Sequence, residues 1–157
     1  MLEQIRTTIV AMLRAIPDIG IVHERERYAS DLGKLREFYS WQPSDARSAK
    51  QVRGWFLRRV DKNENHIGNY KYDIENTWEI KGFMSFNDEM QSEIIFDGLV
   101  ESISQVFQKP IALNQVQNAT KQGVVAHGIE LINSQPVNFT GVLCHSATLK
   151  LITKHKS

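Results

Sequence analysis

One stretch constrains the fold of this chain more than any other: a run of alternating residues that leads directly towards a helix. Between residues 74 and 86 the odd-numbered positions are mostly polar, and Phe83 is the exception among them. A period of two is typical of a β-strand with one face in the core and one face towards solvent or a partner. The apolar even-numbered positions are Ile74, Trp78, Ile80, Met84 and Phe86.

A helix is predicted to begin immediately after this strand. Asn87 is a favourable N-cap, and Asp88 and Glu89 would lie in the first turn, where carboxylates favour the positive end of the helix dipole. Lys109 and Pro110 are predicted to end the helix. One side of it carries a broad apolar stripe, formed by Ile95, Phe96, Leu99, Ile103, Val106 and Phe107.

A second amphipathic helix is predicted at the amino terminus, stopped by Pro17. Its apolar positions are Leu2, Ile5, Ile9, Met12, Leu13 and Ile16. Strands are predicted at 19–22 and 51–60, and the stretches "VVAHGIELI" and "VLCHSATLKLITKH" predict two more near the end. Three connections are predicted to be long: an excursion at 24–50 with a short helix near 31–39, a hairpin loop at 61–73, and a loop at 111–122.

The two helices and the strands predict an α+β fold. The simplest way to bury both apolar stripes is a mainly antiparallel sheet of four to five strands with the two amphipathic helices packed on one face. The other face would then be available to solvent or to a partner. A chain of 157 residues, 41% hydrophobic and 24% charged, fits a single domain spanning 1–157.

Charge and cysteine content narrow the class of protein. The formal net charge of +1 argues against holding nucleic acid by bulk phosphate neutralisation. The sequence has one cysteine, no secretory leader and no apolar run long enough to cross a bilayer. These features predict a protein that is made and kept in a reducing cytoplasm.

Few residues carry evident chemistry. No Gly-rich phosphate loop is present, and none of the histidines has the spacing of a zinc site, so no metal, cofactor or nucleotide is expected. Cys144 is predicted to be a small buried hydrophobe. The protein is predicted not to be an enzyme, with a pair formed by His127 and His145 on adjacent strands as the alternative. The five histidines are His23, His66, His127, His145 and His155.

The segment "RGWFLRRV" is the candidate interface. Arg53, Trp55, Arg58 and Arg59 lie there, and Arg and Trp are enriched at the centres of protein–protein contacts. Two other interpretations remain open. In one, the strand has a solvated basic face and Trp55 lies in the core; in the other, the arginines make non-specific contacts with passing phosphate backbone.

Two stretches carry a resemblance to a known family. The run "ENTWEIKGFMSFNDEMQSEIIFDGLVESISQVF" resembles the strand–helix unit of bacteriophage tail terminator proteins of the minor tail protein U type. The end "GIELINSQPVNFTGVLCHSATLKLITKH" is similar to the closing hairpin of that family. The order of the remaining elements agrees with it.

The resemblance implies a structural phage or prophage protein that forms a ring, typically a hexamer. Such a ring caps the tail tube, stops its polymerisation and provides the surface for head attachment. The implied partners are further copies of the chain, the major tail tube protein, head–tail connector proteins and DNA passing non-specifically through the lumen. The implied location is the host cytoplasm during assembly and then the virion tail. The alternative is a dimeric α+β module that binds a small ligand or a regulatory partner, which predicts an enclosed apolar pocket.

Overall fold

The computed structural model describes residues 1–44, 49–108, 111–117 and 123–156. Within them, three helices and seven strands follow one another along the chain. The helices are α1 Leu2–Arg14, α2 Leu32–Phe38 and α3 Ser92–Phe107. The strands are β1 Ile21–His23, β2 Ser40–Trp41, β3 Gln51–Gly68, β4 Lys71–Ser85, β5 Ile111–Gln117, β6 Gly123–Phe139 and β7 Val142–Lys156.

The strands form one mixed sheet in the order β1-β3-β4-β7-β6-β5, with β2 also pairing with β3. Only the short β1 runs parallel to its neighbour β3, and the other described ladders are antiparallel. The predicted α+β class is confirmed. The predicted count of four to five strands is too low, partly because β2 and β5 lie in segments that were expected to be loops. Both are short, and their sequences give no clear alternation.

The main core lies between the sheet and the two long helices. The predicted stripes of α1 and α3 face the same cluster of buried side chains on β3, β4 and β7, so both helices cover one face of the sheet. Trp55 stacks on Phe96 with ring centroids 5.5 Å apart, which links β3 directly to α3. The buried apolar residues of the two helices are Ile5, Ile9, Val10, Leu13, Phe96, Leu99, Val100, Ile103 and Phe107.

Gly82 provides the space that Trp55 occupies. The two residues are register partners across β3 and β4, and a Cβ atom at position 82 would lie 2.2 Å from the Trp55 ring. Trp55 also donates a hydrogen bond from Nε1 to the carbonyl oxygen of Ile19, at 2.9 Å. The indole is therefore buried with its one donor satisfied.

The opposite face of the sheet is partly covered, which the sequence did not lead us to expect. Tyr39, Phe83 and Phe139 pack together there, with the Phe83 and Phe139 rings stacked at 4.2 Å. Arg36 of α2 donates to both the hydroxyl and the carbonyl oxygen of Thr140, in the turn between β6 and β7. Part of the predicted excursion at 24–50 is thus a packed layer. It also explains why Phe83 is apolar on the polar side of its strand.

The predicted long hairpin loop at 61–73 is wrong. Strands β3 and β4 continue as a paired ladder as far as Gly68 and Lys71. We call residues 60–72 the β3–β4 arm. Nearly all of its residues are exposed, so its polar sequence suits a two-stranded ribbon as well as a loop. Alternation of polar and apolar residues marks a strand only where one face is buried.

The predicted start of α3 is also wrong. The helix begins at Ser92, after turns in which the Asn87 side chain accepts a hydrogen bond from the Met90 amide at 3.3 Å. Gln91 has a left-handed backbone with φ 56°. Asn87 therefore caps a turn and not the helix, because the left-handed Gln91 separates that turn from the first residue of α3. The predicted helix end at 109–110 lies outside the described residues.

Candidate functional site

Two of the four candidate interface residues are packed inside the chain. Trp55 is 1% exposed and Arg53 is 6% exposed. The Arg53 guanidinium lies over the Trp41 ring at 4.4 Å and donates to the carbonyl oxygen of Asp18 at 3.1 Å. The burial of Trp55 agrees with the interpretation that it lies in the core, whereas the burial of Arg53 was not expected by that interpretation, which left the arginines solvated. Their burial needs no partner to explain it.

Arg58 and Arg59 are exposed but do not form one surface. Successive strand residues point to opposite faces, so these two arginines project from opposite sides of β3. Arg58 makes an ion pair with Glu26 at 3.7 Å. Arg59 lies 3.5 Å from the side-chain oxygen of the buried Asn76. A single basic strip on β3 is therefore absent from the folded chain.

The sheet face that carries Arg58 has a ladder of alternating charges. Arg58 lies opposite Glu79, Glu79 opposite Lys150, and Lys150 opposite Glu130, across four neighbouring strands. Opposite charges directly across a sheet stabilise it modestly and neutralise one another. This row of the sheet therefore does not present an excess of positive charge towards a phosphate backbone.

The histidine pair does not form a site. His145 pairs with Pro136 of β6, and His127 lies nine residues earlier on that strand. At the usual rise of a strand the two backbones are about 30 Å apart. The two residues lie on adjacent strands, as predicted, yet they are too distant to share a metal or a proton. The His127 side chain lies outside the described residues.

His145 instead lines a groove at the start of α3. Its Nε2 is 2.8 Å from the Ser92 hydroxyl, and its ring lies between Phe86 and Phe96 at centroid distances of 4.3 and 5.8 Å. Burial lowers the pKa of His145, and nearby Glu93 and Asp97 partly oppose that shift. Ser92 is 3% exposed and also accepts a hydrogen bond from the Asn87 amide, so it ties the helix start to β7.

We call this feature the acidic groove. It has a volume of about 430 Å³, and its walls come from the start of α3, from β6 and from β7. The buried Phe96 belongs to its lining, and exposed apolar side chains and exposed carboxylates stand together on its rim. The sequence signal for it was an acidic run that also contains large apolar residues, which we interpreted only as a helix start. The lining residues used below are Phe86, Asp88, Glu93, Ile94 and Asp97.

Catalytic or metal-binding groups could also come from the remaining side-chain clusters of the described residues. Within the described part of the chain, no group of three or more His, Cys, Asp or Glu side chains could hold a metal ion. Cys144 is buried as predicted, and burial raises the pKa of its thiol to about 11, so it is protonated at neutral pH. A second groove, of about 550 Å³, lies at the base of the β3–β4 arm and has charged walls that include Asp73, Glu75 and Lys154.

No protein-family model matches this chain, and no curated protein matches it significantly. None of the helices in the described ranges is long and apolar enough to span a membrane.

Proposed function

We propose that this chain is a phage or prophage tail terminator, which assembles into a ring of about six subunits on the end of the tail tube. The ring stops tube polymerisation and offers the surface on which the head is joined. Its partners are other copies of the chain, the major tail tube protein and the head–tail connector proteins. It acts in the host cytoplasm during assembly and then in the virion tail.

The observation that carries this proposal is the strand–helix unit that bears the resemblance. Trp78 on β4 is fully buried and donates from Nε1 to the Thr153 hydroxyl of β7, at 2.9 Å. Residues 86–91 then turn the chain so that α3 packs back on the same sheet. The strand of this unit, β4, and the closing hairpin of β6 and β7 are neighbours in one sheet, in the order β4-β7-β6. This adjacency supports the proposal.

The shape of the chain supports a role in assembly. A closed ring requires that one patch on each subunit meets a different patch on the next. The β3–β4 arm and the acidic groove are two different exposed patches, and they lie at opposite ends of β4. DNA must pass through the lumen of such a ring, where a strongly basic lining would retain it, and the net charge of +1 is compatible with that requirement.

The first experiment on this proposal is the mass of the purified protein over a wide concentration range, with negative-stain images of the largest species. The proposal predicts closed rings of about six subunits. A fixed dimer at every concentration would instead support the ligand-binding module.

The exposed arginines of β3 provide a second experiment. Reversing both charges in Arg58→Glu/Arg59→Glu is expected to block assembly, because unfavourable charges at a contact oppose association. The monomer should stay folded, because both side chains lie outside the core. The matched control is Lys34→Glu/Lys50→Glu, which makes the same change in net charge at two other exposed positions. Sedimentation reports assembly, and circular dichroism reports folding.

Unchanged assembly of the Arg58→Glu/Arg59→Glu protein would show that these arginines are only solvated. Loss of assembly in the control as well would indicate a general effect of charge. The two single variants then separate the two faces of the sheet, since Arg58 and Arg59 project from opposite sides.

A further inference from the structure

The tip of the β3–β4 arm, residues 66–72, exposes apolar surface that belongs neither to the main core nor to the packed layer around Tyr39. Tyr70 is 95% exposed and Ile67 is 47% exposed. Strand β7 pairs with β4 only from Asp73 onwards, so beyond that point the described ladder of the arm has two strands. A two-stranded hairpin is at best marginally stable in water. A contact with another surface would therefore order the arm and bury its tip.

The backbone at Tyr70 makes the choice of side chain notable. Its φ is 57°, in the left-handed region, where glycine or asparagine is favoured and a bulky residue is strained. A tyrosine at this position costs stability in the isolated chain. Glycine would fit the hairpin turn better, and no contact within the described part of the chain buries the ring, which is 95% exposed.

The acidic groove provides a surface of complementary chemistry. Ile94 is 66% exposed and Phe86 is 43% exposed at its edge, which leaves apolar area open beside the carboxylates. Residues 86–97 contain four acidic residues and no lysine or arginine, a formal charge of −4. The tip, residues 66–72, contains one lysine and no acidic residue, a formal charge of +1.

The tip cannot reach the groove of its own chain. Lys71 begins β4 and Phe86 directly follows its other end, 15 residues away. Along an extended strand this separation is about 50 Å. The tip of one chain can therefore meet an acidic groove only on another copy.

We propose that the tip of the β3–β4 arm docks into the acidic groove of a second copy of this chain. Tyr70 and Ile67 cover Ile94 and Phe86, and Lys71 lies among the carboxylates of the rim. The tip of the arm and the acidic groove lie at opposite ends of β4. A contact between the tip of one copy and the groove of the next is therefore head-to-tail, and it closes into a ring when the rotation between neighbours allows it. This inference rests on the proposed function, because it takes the second copy to be the next subunit in the terminator ring.

The test uses two variants of the full chain, each of which removes one side of the contact. Ile67→Ser/Tyr70→Gly removes the apolar tip, and Ile94→Asp places a further charge on the apolar edge of the groove. Each variant alone is expected to associate about tenfold or more weakly than the wild type, as loss of a central aromatic or apolar contact does. Sedimentation velocity over a range of concentrations measures this change.

Mixing the two variants gives the decisive result. The intact tip of the Ile94→Asp chain fits the intact groove of the Ile67→Ser/Tyr70→Gly chain. The altered groove of the first chain and the altered tip of the second can bind no further copy. We expect a 1:1 heterodimer that grows no further. The matched control is Tyr28→Ser/Leu32→Ser, which removes two exposed apolar side chains, 73% and 63% exposed, from another part of the surface. It should assemble as the wild type does.

Folding of the variants is checked by thermal unfolding, and Tyr70→Gly alone should leave the Tm unchanged or raise it, because glycine relieves the left-handed strain. The inference is overturned if both variants assemble like the wild type, if the mixture gives no heterodimer, or if the wild type stays monomeric at every concentration. Rings that form regardless of these variants would leave the proposed function intact. Tip-dependent rings that fail to cap tail tubes would overturn the function and leave this contact standing.

Discussion

Replacing Gly82 with alanine is expected to lower the free energy of unfolding by about 3 kcal/mol, at the upper end of the usual cost of forcing an extra methyl group into a packed core. The added methyl would lie 2.2 Å from the Trp55 ring, and the atoms behind that ring are those of Phe96 in α3. The indole must leave its place, which also breaks its hydrogen bond to Ile19. Urea unfolding followed by tryptophan fluorescence measures the change.

The matched control is Gly98→Ala in the middle of α3. Among the described atoms, none lies within 4 Å of a Cβ built at position 98, and the backbone there is helical. Alanine is a better helix former than glycine, so this variant should be more stable by about 0.5 to 1 kcal/mol. Equal stabilities for the two alanine variants would mean that Trp55 does not pack against Gly82.

Truncating Ile103 to alanine should lower the free energy of unfolding by about 2 to 5 kcal/mol. Ile103 is 0% exposed and belongs to the core cluster between α3 and the sheet. Removing three carbons there loses transfer free energy and leaves a cavity that its neighbours cannot fill completely. The chain should still bind partners at temperatures where it remains folded, because Ile103 is fully buried and cannot contact a partner directly.

Ile94→Ala is the control on the same helix. Its side chain is 66% exposed, so the change in unfolding free energy should stay within about 0.5 kcal/mol. A small effect at Ile103, equal to that at Ile94, would contradict the packing of α3 on the sheet. The two variants together separate the buried stripe of α3 from its outer edge.

The sequence predicts the core of this protein better than its outer parts. The stripes of α1 and α3 and the alternation along β4 are patterns that burial itself produces, and the side chains that form them are buried or partly buried, with one exception. Phe86 was predicted to face the core and is 43% exposed, because the strand ends at Ser85 before reaching it. Trp78 and Ile80 were predicted to face the core on β4, and both are 0% exposed.

The β3–β4 arm could not be predicted in the same way. A ribbon with both faces in water has no reason to alternate, so its polar residues were interpreted as a loop. The layer formed by α2 was missed for a different reason. Its contacts, such as that between Arg36 and Thr140, join residues 104 positions apart, and no local pattern predicts which distant surface a short helix will cover.

The candidate interface was predicted from residue types alone, and two of its four residues, Arg53 and Trp55, are instead buried within the chain. Arginine and tryptophan are common both at interfaces and in cores, and local sequence does not distinguish the two for Trp55. The acidic groove depends on β6 and β7 lying beside the start of α3, which is a tertiary arrangement. Exposed Ile94 within an acidic run was the one local sign of it.

The proposed capping of tail tubes is tested most directly by the length of tail tubes assembled with and without this chain. Tail tube protein polymerised in the presence of the purified chain should give tubes of limited length with a ring visible at one end. The Ile67→Ser/Tyr70→Gly variant serves as the comparison that should not form the ring. Tubes that continue to grow, with no density at their ends, would contradict the proposed function.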